Sequence, residues 1–198
     1  MLARKQCGQR KGVKARKPAV CWESPHFSVL EHKLGKDASS HSYFSCQRPS
    51  PNTVHILALT SYDEVVLVRQ FRPPVNNEVV ELPAGVCDRA DEALIDAARR
   101  ELLEETGYEA EEMELLFSGT VSPGLSNEIY NLFLATGVER SGEGGGVGHE
   151  KIQVLLKPRH RLLEFLVEES LEGSVLVDAK IPTALALAEK YLSPESIF

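Results

Sequence analysis

Short apolar blocks separated by turn residues run through most of the chain, and their lengths are those of β-strands. Val54 to Thr60 and Val65 to Arg72 are rich in Val, Ile and Leu and are parted by the polar turn Ser61-Tyr62-Asp63-Glu64. Such runs predict adjacent strands of a buried sheet, and Pro73-Pro74 ends the second one. Phe27 to Leu34 and Ser42 to Arg48 flank a polar stretch, Gly35 to Ser40, and predict a hairpin. Val79 to Leu82 is extended and stops at Pro83-Ala84-Gly85, while Met113 to Val121, Ile129 to Ala135 and Ile152 to Leu156 complete the strand set. Glu92 to Thr106 is built of good helix formers and closes at Gly107, a residue suited to the left-handed position after a helix. A second helix is expected over Arg161 to Glu169, and a third from a cap at Asp178 with Pro182 in its first turn. Ser141 to Gly148 contains five glycines and is expected to be a flexible loop. No segment repeats. Strands interleaved with helices place the chain in the α/β class, with a mixed sheet covered by helices.

Composition narrows the setting. The 198 residues suffice for one full-sized domain with a small extra lobe. No apolar run approaches the roughly 18 residues of a membrane span, so no membrane partner is expected. Cys7, Cys21, Cys46 and Cys87 are widely spread without a CxxC pair, which disfavours a disulfide scaffold or zinc module and points to reduced thiols in the cytoplasm. Arg4, Lys5, Arg10, Lys11, Lys14, Arg16 and Lys17 contribute +7 to a chain of net charge -7, leaving -14 on residues 23–198. A body that acidic is a poor nucleic-acid clamp. Residues 1–22 therefore read as a basic, disordered leader, with nuclear-import and organelle-targeting roles as alternatives. Trp22, the sole tryptophan, reads equally as a packing anchor beside it or as an aromatic available for ring stacking.

The predicted helix over Glu92 to Thr106 carries the candidate chemistry. Glu101 and Glu105 are four residues apart and share a face, with Glu104 beside them. Three carboxylates repel one another there, and they crowd the helix end that favours cations. A hard divalent ion such as Mg2+ relieves that repulsion. Taken alone, the same residues also suit a solvated acidic face.

Glu92-x7-Arg100-Glu101-Leu102-x-Glu104-Glu105-x-Gly107-Tyr108 resembles the right half of the Nudix box, G-x5-E-x7-R-E-U-x-E-E-x-G-U, where U is aliphatic or aromatic. The left half departs, because six residues separate Gly85 from Glu92. Either Glu92 or Asp91 then takes the place of the acid that braces Arg100. Gln70-Phe71-Arg72-Pro73-Pro74, Glu81-Leu82-Pro83-Ala84-Gly85 and Ser122-Pro123-Gly124-Leu125-Ser126-Asn127-Glu128 resemble the ADP-ribose and ADP-sugar pyrophosphatase branch of Nudix hydrolases. Pro123, sixteen residues after Gly107, falls where that branch carries a diagnostic proline.

The resemblance implies a Nudix α/β/α sandwich with a mixed sheet, over residues 53–198, and an N-terminal antiparallel β lobe over 23–52 that builds a homodimer. It implies Mg2+-dependent, or Mn2+-dependent, cleavage of the ADP-ribose diphosphate to AMP and a sugar phosphate. Glu101 and Glu105 match the principal metal-ligand positions, Glu104 an auxiliary one, and the Ala84 carbonyl a further one. Arg72 matches a substrate-contacting arginine, and Glu81 the acid before the Pro-Ala-Gly turn. Glu150, after the glycine loop, is the candidate general base, with His149 as competitor. Tyr43 stands where the branch has a base-stacking tryptophan, Phe44 where it has an acid, and Arg48 matches its arginine. Cys87 is read as incidental. Two other readings are a hydrolase for another nucleoside diphosphate derivative and a non-hydrolysing ADP-ribose sensor.

Overall fold

The computed structural model describes residues 17–35, 41–148, 151–173 and 175–192. The chain divides into two compact units, one containing residues up to Pro49 together with Ser122–Asn127, the other Ser50–Val121 and Glu128 onward.

The first unit is a three-stranded antiparallel sheet of β1 (Ala19–Glu23), β2 (Ser28–Leu34) and β3 (His41–Gln47), in that order. Leu30 is its one buried apolar residue among those described, whereas Trp22, Tyr43 and Phe44 are exposed. Trp22 packs against Phe27 with ring centroids 5.2 Å apart. The segment Ser122–Asn127 is stitched to this sheet: Cys46 N–H donates to the Leu125 carbonyl at 2.7 Å, and Arg48 N–H donates to Asn127 Oδ1 at 2.9 Å. Two boundary expectations change. β1 pairs with β2 through Ala19↔Glu31 and Val20↔Leu30, so paired structure starts inside the stretch assigned to a leader over 1–22. The unit ends at Pro49, short of residue 52, because Asn52 already belongs to the first strand of the larger sheet.

The second unit holds an eight-stranded mixed sheet. Its strands are β4 (Asn52–Thr60), β5 (Glu64–Arg72), β6 (Asn77–Glu81), β7 (Ala84–Val86), β8 (Tyr108–Gly119), β9 (Ile129–Arg140), β10 (Gln153–Pro158) and β11 (Leu176–Val177). The main path runs β11-β6-β5-β4-β9-β8, with β10 on β5 and β7 on β4. β4 with β9 and β6 with β11 are parallel; the other pairs are antiparallel. The helices are α1 (Leu94–Thr106), α2 (Leu162–Glu172) and α3 (Lys180–Leu192). Asp178 Oδ1 accepts the Lys180 N–H at 2.8 Å, the expected cap.

Period-two alternation distributes β4 between two cores. Val54, Ile56 and Ala58 pack with Ala97, Ala98 and Leu102 of α1. Leu57 and Leu59 pack with Leu162 and Leu166 of α2 and with Ile181, Ala184 and Ala188 of α3. Helices thus cover both faces, as in the expected α/β/α sandwich. Leu102 is fully buried, and truncating such a side chain to alanine costs about 2–5 kcal/mol. No helix among the described residues is long and apolar enough to cross a membrane.

The sheet forks, and the fork positions the site. β4 and β5 pair only through Ala58↔Val66 and Leu59↔Val65. Beyond that point β5 turns to β6, from Val68↔Glu81 to Arg72↔Asn77, while β4 takes β7, from His55↔Ala84 to Thr53↔Val86. The segment Leu82-Pro83 crosses between the two branches, tied by the Ile56 N–H donating to the Pro83 carbonyl at 2.9 Å. β7 is absent from the sequence expectation, since three residues after a proline give no periodic signal. The observed β8 and β9 are also longer than expected, because their pairing with each other runs from Tyr108↔Arg140 to Gly119↔Tyr130.

Candidate active site

The helix α1 starts at Leu94, two residues later than expected, because Glu92 has another use. Arg100 Nε donates to Glu92 Oε1 at 2.8 Å and Nη2 donates to Oε2 at 3.0 Å. Glu92 is the bracing acid; Asp91 is exposed, with φ 61°. The extra residue between Gly85 and Glu92 is taken up in a turn closed by Glu92 N–H donating to the Arg89 carbonyl at 3.3 Å. Register with the helix survives the insertion.

Arg100 is also shared with the carboxylate cluster. Its Nη1 donates to Glu101 Oε1 at 2.6 Å and to Glu104 Oε2 at 3.2 Å. Glu104 Oε1 accepts from Arg89 Nη2, also at 3.2 Å. The Arg100 hydrogen bond holds the Glu92 carboxyl below the usual carboxylate range, against burial, which opposes the shift. Glu92, with smaller help from Glu101 and Glu104, in turn raises the guanidinium further. Arg89 was not singled out in the sequence, where nothing in its spacing marks it as a partner of Glu104.

Glu105 is only 5% exposed. Its Oε2 accepts the Ala84 N–H at 2.9 Å, which docks α1 on β7 at the predicted Pro-Ala-Gly turn. Glu101 meets the next residue of that turn: a Cβ on Gly85 would lie 1.9 Å from Glu101 Cδ. A side chain at position 85 would displace the Glu101 carboxylate from the turn. The structure therefore brings Glu101 and Glu105 to the Ala84-Gly85 turn, with Glu104 on the adjoining flank.

The donor chemistry of this cluster, carboxylate oxygens beside a backbone carbonyl position, fits a hard divalent cation. The Gly85 cradle adds to the fit by letting Glu101 reach the turn. Among the described residues no three Asp, Glu, His or Cys side chains already form a ligand cage; Arg100 supplies the positive charge between Glu92, Glu101 and Glu104.

Arg72 and Glu81 lie on the other branch of the fork. Arg72 Nε and Nη2 both reach Glu81 Oε2 at 2.8 Å. The guanidinium is 42% exposed and the carboxylate 13%, so the acid holds the arginine from behind and leaves it accessible. On the opposite face of the sheet, His55 packs against Tyr130 with ring centroids 4.9 Å apart and the planes tilted by 59°, and pairs with Thr53 Oγ1 at 3.2 Å. Burial first, then the charges of Lys180 and Arg72, lower the His55 pKa to about 3. Neither His55 nor Tyr130 was legible as special in the sequence, where both sit in ordinary strand patterns.

Tyr43 and Arg48 belong to the first unit. The Tyr43 hydroxyl donates to the Gly124 carbonyl, and Asn127 Nδ2 donates to the Arg48 carbonyl at 3.1 Å. Tyr43, His32, Gln47, Pro123 and Asn127 line a cavity of about 340 Å³ within this unit. Glu150 and His149 lie outside the described residues.

Comparison with known proteins identifies the family. Residues 49–160 match the NUDIX domain family. The chain is 34% identical over 130 residues to a methanol dehydrogenase activator of Bacillus methanolicus, across 65% of this chain and 70% of that protein. It is 40% identical over 85 residues to an ADP-ribose pyrophosphatase of Bacillus subtilis (strain 168), across 43% of this chain and 45% of that one. A GDP-mannose pyrophosphatase of Escherichia coli (strain K12) shares 37% over 119 residues, 56% of this chain and 61% of the relative. The matches to the two pyrophosphatases thus span less than two thirds of those proteins. A crystal structure of an ADP compounds hydrolase superposes with a TM-score of 0.70 at 18% identity, covering 94% of this chain and all of the other, and so shares the fold. With the box residues assembled on the fork and more than half the chain matched, the protein belongs to the Nudix family.

Proposed function

We propose that this protein hydrolyses the diphosphate of ADP-ribose, or of a related ADP-sugar, to AMP and a sugar phosphate, using Mg2+ or, in its place, Mn2+. The observation that carries the proposal is the placement of Glu101 and Glu105 against the Ala84-Gly85 turn. Glu101, Glu104, Glu105 and the Ala84 carbonyl would hold the cation, which when bound neutralises diphosphate oxygens and makes a water more acidic. Arg100 keeps the carboxylate cluster together through its grip on Glu92. Arg72, steadied by Glu81, binds phosphate oxygens. Glu150 takes the proton of the attacking water, whose oxygen joins one phosphorus as the bond to the bridging oxygen breaks.

Tyr43 and Arg48 are assigned to the nucleotide. The protein works as a cytoplasmic homodimer, with the first unit docking on a second copy. The exposed Trp22, Tyr43 and Phe44 on a sheet with little core of its own support that assignment.

A hydrolysis panel of ADP-ribose, other ADP-sugars and GDP-mannose, with chelation and metal add-back, tests the proposal. ADP-ribose is expected to be cleaved fastest, to AMP and ribose 5-phosphate, only with metal present. Preference for GDP-mannose would move the substrate to the second reading, which the 37% identical relative favours. Binding of ADP-ribose without cleavage would make the protein a sensor. Light scattering at micromolar concentration tests the dimer, and a monomer of full activity would overturn it.

A further inference from the structure

The glycine-rich segment after β9 is fastened to the end of α1, contrary to the flexible loop expected from its composition. Gly145 N–H donates to the Glu105 carbonyl at 2.8 Å and Gly146 N–H to the Glu104 carbonyl at 3.1 Å. Ser141 and Gly142 both donate to the Gly107 carbonyl, at 2.8 and 2.9 Å. With Gly107 N–H on the Leu103 carbonyl at 2.8 Å, the carbonyls of Leu103, Glu104 and Glu105 all receive donors. These are groups that a helix end ordinarily leaves unsatisfied.

At Gly144 and Gly107 the fit leaves no room for a side chain. A Cβ on Gly144 would lie 2.3 Å from Thr106 C and 2.5 Å from Gly107 N, and one on Gly107 would lie 2.4 Å from the Gly142 oxygen. Both residues also hold positive φ, +68° and +74°. Backbone-to-backbone packing this close is available to glycine alone.

We infer that Gly142 to Gly146 forms a backbone clasp that positions the carboxylate-bearing end of α1 for its cation, acting through Glu104 and Glu105 without touching the ligand. The physical reason is local. That helix end already carries the negative pole of the helix dipole, and Glu101, Glu104 and Glu105 add charge of the same sign. Two N–H dipoles directed at the carbonyls of Glu104 and Glu105 offset the pole where those side chains originate. They also fix the backbone from which the carboxylates project, as outer groups fix metal ligands elsewhere. The inference rests on the reading of α1 as the cation-binding helix.

The test compares Gly144→Ala with Gly148→Ala, using direct binding of Mn2+ followed by electron paramagnetic resonance. Gly148 has the same positive φ, +68°, yet nothing among the described residues lies within 4 Å of its Cβ position, so it carries the backbone strain without the clash seen at Gly144. Gly144→Ala is expected to bind Mn2+ about 10- to 100-fold more weakly, while Gly148→Ala binds as the parent does. Equal Mn2+ affinity in a folded Gly144→Ala and the parent overturns the clasp and leaves the hydrolase reading intact. A parent that binds no Mn2+ overturns the cation reading and the inference with it. If Gly144→Ala does not fold, amide exchange of the parent decides: Gly145 and Gly146 protected to the level of α1 supports the clasp, and exchange at the rate of an open loop overturns it.

Discussion

Arg100 and Glu92 are joined by two hydrogen bonds, Nε to Oε1 at 2.8 Å and Nη2 to Oε2 at 3.0 Å, although Glu92 lies outside the helix that carries Arg100. Both side chains are largely buried, 14% and 11% exposed. Removing one partner of such a pair leaves the other charge poorly solvated, so Glu92→Gln should cost about 2–4 kcal/mol. Asp91→Gly should instead hold or raise stability by up to ~1 kcal/mol, since Asp91 has a left-handed φ of 61° that glycine adopts freely. Urea melts of the two variants check this, and equal losses would contradict the assignment of Glu92 as the brace.

The contact between Gly85 and Glu101 gives a second prediction. Glu101→Gln should lower metal-dependent turnover by about 100-fold or more, as expected when a charged group that holds the cation is removed. Gly85→Ala keeps every charge but pushes the Glu101 carboxylate off the turn, and should lower turnover in the same direction by a smaller factor. Circular dichroism should show both variants folded. Normal turnover in Gly85→Ala would mean that Glu101 need not sit on the turn.

His55 supplies a pH dependence. Its pKa is lowered from 6.5 to about 3 in the folded chain, whereas an unfolded imidazole takes up a proton as pH falls through about 6.5. The unfolded state then binds more protons than the native one, so stability is full above that pH and declines as pH falls towards 3. The slope from this one group is roughly 1.4 kcal/mol per pH unit. Stability of the parent relative to His55→Leu should fall by about that amount per unit between pH 6 and 4. Parallel stability curves for the two proteins would rule out a neutral buried imidazole.

The general base is tested by kinetics. Glu150→Gln should lower kcat by about 10²- to 10⁴-fold with little change in substrate affinity. His149→Ala should have a small effect. If Glu150→Gln loses less than about tenfold and His149→Ala far more, with activity falling below roughly pH 6.5, the base is the histidine.

Much of the scaffold was legible because period-two runs and helix caps are local signals. The strands at Val54 and Val65, the helix closed by Gly107 and the Asp178 cap all depend on neighbours within a few residues. The box spacing likewise put Glu101, Glu104 and Glu105 on one turn, because a helix converts sequence spacing directly into geometry.

What the tertiary structure alone decided depends on partners far along the chain. Whether Asp91 or Glu92 braces Arg100 was open until the turn at Arg89 took up the additional residue. β7 exists because β4 offers it an edge where the sheet forks, and the assignment of Ser122–Asn127 to the N-terminal unit rests on hydrogen bonds to Cys46 and Arg48. The glycine segment shows the limit most directly. Composition marks Gly142 to Gly146 as backbone free to adopt positive φ, and that same freedom permits either an open loop or a tight seat. The seat is chosen because the carbonyls at the end of α1, some forty residues earlier, accept the N–H groups of Gly145 and Gly146, and Gly144 offers no side chain to block the approach.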